Sequence, residues 1–166
     1  MSDTATTVAT VVNAAVMQEP DAQRSVRIRT NVSGERLIGF VDLPLGRVSR
    51  LSDVLNAPEP FLHVQLVDDT VALAIRKTSI SYIEALEEPP TARHVPLGTF
   101  HSVVAEFSPP VQPMRGELFV AATANLLDVL NDPRPFVNLR NVVVIDSFEH
   151  YKFLAVGKHQ TRLLRF

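Results

Sequence analysis

Two aspartate–asparagine pairs stand at the same spacing, Asp53 with Asn56 and Asp128 with Asn131. A carboxylate and an amide three residues apart share one face of a helical turn, where together they could hold a metal ion or orient a polar substrate group. Each pair, however, lies inside one phrase written twice. LSDVLNAPEPF, Leu51 to Phe61, and LLDVLNDPRPF, Leu126 to Phe136, agree at eight of eleven positions. The neighbouring residues favour architecture over chemistry. Ser52 or Asp53 can cap a helical turn by accepting a backbone N–H, and Asn56 and Asn131 end it with a side chain that tolerates left-handed backbone. Leu51, Val54 and Leu55, with Leu126 and Leu130 in the second copy, point inward. Pro58 and Pro60 stop the helix, and Phe61 and Phe136 anchor the strand behind each copy. A catalytic pair would rarely be kept twice with the same core residues around it, so no metal and no cofactor is expected here.

The other reactive side chains are scattered. His63, His94, His101, His150 and His159 form no metal-ligand spacing such as HExxH, and the chain has no cysteine, which removes thiolate chemistry, disulfides and sulfur-bound zinc. No G-x-S-x-G occurs, and six glycines supply no phosphate loop. Asp68-Asp69 falls in a turn and Glu87-Glu88 in a linker, where solvated charge is the ordinary reading. The sequence therefore points away from an enzyme.

Charge is blocked rather than mixed. Arg24 to Arg50 holds six arginines against Glu35 and Asp42, whereas Leu51 to Ala92 holds seven acids against Arg76 and Lys77. Arg27 and Arg29 project from one face of a strand and, with Arg36, Arg47 and Arg50, could grip phosphate or an acidic protein surface. They carry no aromatic platform on which bases would stack, Phe40 being the one aromatic residue among them. The overall charge of −2 attracts neither nucleic acid nor an anionic membrane. The expected partner is a protein or a second copy; RNA or nucleotide binding by the Arg24–Arg50 face is the alternative.

The elements that carry these residues read as a mainly β protein. Residues 1–23 read as a flexible leader, or alternatively a docking helix, with apolar residues at helical spacing but no basic region, so neither a signal peptide nor a membrane span is expected. From Val26 the period shortens to two: VRIRTNV and RLIGFVDL are strands joined by the turn SGE. After the helical turn, FLHVQLV alternates again, and VALAIRKTSISYIEAL supplies one long bent strand or two short ones. Residues 87–98 have the proline and charge content of a linker. The second unit repeats the order, with SVVAEF as first strand, MRGELFVAAT as turn and second strand with Gly116 answering Gly34, FVNLRNVVVI, and FLAVGKHQTRLL. EHYKF reads as a hairpin arm with Tyr151 and Phe153 packed on one side. The expectation is a tandem of small barrel or sandwich units, residues 24–86 and 99–166, pseudo-two-fold related and leaning on a shared apolar surface because neither is large enough to bury a full core. An arginine-rich, cysteine-free chain of near-neutral charge fits a bacterial cytoplasm.

AIRKTSISYI, Ala74 to Ile83, resembles the end of an Sm-like small barrel, in which an arginine-bearing strand precedes an apolar strand. VRIRTNVSGERLIGFV resembles the first motif of that family. The resemblance implies a small β-barrel. It departs where the family has an Arg-Gly pair, here Arg76-Lys77, and where its Asp-to-Asn nucleotide pocket would fall, here a helical turn; RNA binding does not follow from it. RLSDVLN with its trailing PF also resembles a unit of bacterial proteins, a likeness that implies no activity.

Overall fold

The computed structural model describes residues 24–44, 50–67, 71–87 and 97–166. The leader 1–23, Arg47, Asp68, Asp69, Glu88, His94 and most of the linker fall outside the described residues. Among the described residues ten antiparallel strands make one sheet, accompanied by two short helices. No helix among the described residues is long and apolar enough to cross a membrane.

Alternating apolar residues make β1, Arg24–Val32, and β2, Glu35–Leu43, whose ladder runs without a break from Arg24↔Leu43 to Val32↔Glu35. Ser33 (φ 51°) and Gly34 (φ 97°) form the two-residue turn between them. Two successive positive φ values give the backbone twist that matches the strands on either side. Helix α1, Leu51–Asn56, leads through the prolines into β3, Phe61–Leu66. The next stretch is two strands, β4, Ala72–Arg76, and β5, Ile80–Ala85, divided by a 3₁₀ turn at Lys77–Ser79. The Ser79 hydroxyl donates back to the Arg76 carbonyl at 2.7 Å, a local bond that takes the backbone out of the ladder.

The second half keeps the same order of elements. β6, Gly98–Phe107, and β7, Met114–Ala121, precede α2, Leu126–Asn131; then come β8, Phe136–Val144, β9, His150–Gly157, a 3₁₀ turn at Lys158–Gln160, and β10, Thr161–Arg165. Gly116 is not a turn residue. It lies mid-strand opposite Val103, as Gly39 lies opposite Ile28, so the counterpart of Gly116 by register is Gly39 rather than Gly34. Tyr151 and Phe153 do not pack on one side either, for Tyr151 is buried and Phe153 is 46% exposed. The pairing of β7 with β8 shifts register between Arg115 and Glu117, with Asn141 at φ 50°. Such a bulge bends the sheet and changes which residues face inward.

The strand order is β10-β6-β7-β8-β9-β5-β1-β2-β3-β4. Each half thus runs fifth strand, first, second, third, fourth, and the halves meet where β5 pairs with β9 through Tyr82↔Val156 and Ile83↔Ala155. Two apolar clusters lie along the sheet, one per half, and each borrows across this seam. Phe136 and Ala155 pack in the first-half cluster, and Tyr82 packs in the second. Gly157 lets the strands approach, since a Cβ there would overlap the Ile80 carbonyl. Replacing Gly157 with Ala is expected to cost ~1–3 kcal/mol of unfolding free energy in chemical denaturation, and unchanged stability would show that the close approach is not needed.

Candidate interaction surface

In both phrases the aspartate serves its own helix. Asp53 Oδ2 accepts the Arg50 backbone N–H at 2.9 Å, and Asp128 Oδ2 accepts that of Asn125 at 2.9 Å. Asn125 returns the bond, its Oδ1 accepting the Asp128 N–H at 2.9 Å. Arg50 cannot do so, because a guanidinium has no acceptor. The far end of each helix is closed by a lysine from the 3₁₀ turn. Lys77 Nζ donates to the Val54 and Ala57 carbonyls at 2.6 and 2.9 Å, and Lys158 Nζ to those of Val129 and Asp132 at 3.3 and 2.6 Å. Burial lowers the pKa of both lysines, against the pull of Glu59 on the first and Asp132 on the second. In sequence Lys77 and Lys158 are matching letters of the two halves, as are Leu73 with Leu154 and Ala74 with Ala155. The cue was a lysine placed directly after an apolar strand in both copies, where a cation suits unpaired helix carbonyls.

The same letters then meet different surroundings. Leu51 and Leu55 are buried in α1, whereas α2 buries no residue. Phe136 is 3% exposed and its counterpart Phe61 is 53% exposed. Asn56 Oδ1 accepts the Phe136 backbone N–H at 3.2 Å across the seam, whereas Asn131 is exposed and makes no such bond among the described residues. The helix of the first copy therefore packs with the phenylalanine of the second, whereas the second copy's helix buries no residue and the first copy's Phe61 is exposed. Asn56 and Phe136 from the repeated motif come together; Asn131 and Phe61 do not.

Further bonds tie the seam. The Gln160 side chain donates to the Thr78 carbonyl, joining the two 3₁₀ turns. Arg36 donates two bonds to Glu149, at 3.0 and 2.8 Å, and Glu149 also accepts from the Tyr151 hydroxyl at 3.0 Å. These bonds hold the Glu149 carboxyl below its usual pKa, Arg36 contributing most. A groove of about 250 Å³ opens beside the seam, with Leu51, Leu55, Ile83 and Phe153 among its apolar walls and Arg50, Ser52 and Asn138 among its polar ones.

Among the described residues the candidate arginines differ in partner and exposure. Arg29 lies 3.5 Å from Glu84, whose pKa is raised by burial and only partly restored by that arginine. Arg36 is committed to Glu149, and Arg50 is exposed beside the groove. Arg27 is half-buried, its Nε without a hydrogen bond. Among the histidines, His63, His150 and His159 are exposed, and His101 lies 3.0 Å from the Thr99 hydroxyl. No family model matches the chain, and no curated protein or solved structure matches it.

Two measurements probe the seam. Asn56→Ala is expected to lose about 1 kcal/mol of stability and Asn131→Ala to stay within about 0.5 kcal/mol of the parent; equal losses would show that the asymmetry has no energetic content. The second concerns pH. Because the folded-state pKa of Glu149 is depressed, its contribution is complete above the ordinary value of 4.5 and is lost as pH falls through the lowered one. Both partners are more than one-third exposed, so Glu149→Gln should cost under about 1 kcal/mol at pH 7. Melting curves of parent and variant should converge toward acid; a gap that persists below that window would contradict the ion pair as its source.

Proposed function

We propose that the protein is a non-enzymatic protein-interaction or assembly module of the bacterial cytoplasm, built as a tandem of two small barrel-like units, residues 24–86 and 99–166. The carrying observation is the seam, in which the fifth strand of one half adds to the fourth strand of the other and a phenylalanine is buried across it. Strand addition of this kind supplies backbone hydrogen bonds for affinity and side-chain pockets for specificity. In this reading the units relate head to tail. A two-fold pair would also bring β4 against β10, and those strands stand at opposite ends of the sheet order.

Two features support a non-catalytic role. The repeated aspartates are spent on capping their own helices, and the repeated lysines on closing them. The RNA-binding alternative is weakened by Arg29 and Arg36 already facing acids. Binding to mixed-sequence RNA at two salt concentrations separates the readings. The assembly reading expects at most weak binding that an Arg27→Glu, Arg29→Glu double variant leaves unchanged. Micromolar binding that falls steeply with salt and disappears in that variant would overturn it.

A further inference from the structure

We propose that a second copy of this chain docks on the first, the β4 and Phe61 end of one molecule closing over the β10 and α2 end of the next. The inference rests on the assembly reading and names its partner. The in-chain seam has three parts: the edge of β5 against the edge of β9, Phe136 packed in the cluster that holds Leu51 and Leu55, and the Asn56 amide oxygen accepting the Phe136 N–H. All three have counterparts at the ends of the molecule. β10 pairs with β6 as β5 pairs with β1, and its other edge is free of strands among the described residues, as is that of β4. Register places Leu164 opposite Ala105 as Ile83 lies opposite Thr30, so the counterpart of Ile83↔Ala155 is Leu164 against Ala74 of the next copy. Phe61 opens β3 opposite Arg76, as Phe136 opens β8 opposite Gly157, yet Phe61 is 53% exposed. A large apolar side chain left half in water at the position of a buried one has an evident use: it fits against α2, whose leucines lack the cover that α1 receives. Asn131 is placed to accept the Phe61 N–H as Asn56 accepts that of Phe136.

The copy is imperfect in a direction that can be measured. Arg76 occupies the position of Gly157, where a Cβ would overlap the approaching carbonyl, so the strand at 161 cannot settle as closely as the one at 80. Ser79 stands in place of Gln160, and its hydroxyl is already bonded to the Arg76 carbonyl. The ion pair of Arg36 with Glu149 has no counterpart. Contact between molecules is therefore weaker than contact within one, and reversible. The pairing joins unlike ends, so it adds copies without using up either end.

Sedimentation equilibrium on the full chain tests this, with circular dichroism to check folding. The 18.4 kDa chain should show a mass that rises with concentration, with dissociation constants between about 10 µM and 1 mM. Arg76→Gly should tighten association by about tenfold or more. Phe61→Glu and Asn131→Lys, both at exposed positions, should each be monomeric, and a mixture of the two should form one-to-one pairs that grow no further. Monomers at every concentration for both the parent and Arg76→Gly would overturn the proposal, as would association that Phe61→Glu leaves intact. Either result would remove the second copy as partner while leaving the broader assembly reading to the RNA experiment, whose failure is independent.

Discussion

A strand at the edge of a sheet carries a row of N–H and C=O groups that must find partners, and the satisfaction of one such edge organises this molecule. β5 is paired on one side by β1; its other side is met by β9. Without that pairing the ten strands would be two separate sets of five. Each set is too small to enclose a generous core, and the structure answers by sharing side chains: Phe136 and Ala155 go one way, Tyr82 the other. Tyr82 and Tyr151 face each other near the seam with ring centroids 6.0 Å apart. The absence of a side chain at Gly157 matters as much as any contact, because it sets how near the two backbones come.

The repeated phrase gains its meaning from the same constraint. Its polar residues do ordinary work, with aspartate at the start of each helix and a lysine from the 3₁₀ turn at the end. Its apolar residues differ in fate because the seam joins the helix of the first copy to the phenylalanine of the second, and leaves the second helix and Phe61 without that cover. The difference between a buried Phe136 and an exposed Phe61 is thus a record of position in the sheet rather than of sequence, which is why it speaks to what the ends of the molecule are for.

Much of this was legible in the chain. Period-two alternation marked the strands, the pair Ser33-Gly34 marked the hairpin, and the prolines marked where the helices stop. What escaped was long-range. Nothing local shows that Arg29 will meet Glu84 or that Arg36 will meet Glu149, because one acid arrives on β5 and the other just ahead of β9, both distant in sequence. The inward face of β9 could not be read by counting, since a bulge at the neighbouring strands bends the sheet near Asn141 and leaves Phe153 outside while Leu154 turns in. By letters Gly116 answers Gly34 and by register it answers Gly39, because a turn glycine and a close-approach glycine look alike in sequence. Their registers differ, and the reason for each is physical: positive φ at Gly34, a neighbouring strand pressed close at Gly39 and Gly116. The letters match Lys77 to Lys158 but do not show them closing the helices, since the burial of a lysine head is a tertiary fact.

Native-state hydrogen exchange tests the seam most directly. If the junction of β5 and β9 holds the halves together, amides of Tyr82, Ile83, Ala155 and Val156 should exchange slowly and in one cooperative opening, more slowly than those at the outer edges of β4 and β10. Rapid exchange at the junction, or independent opening of residues 24–86 and 99–166, would contradict it.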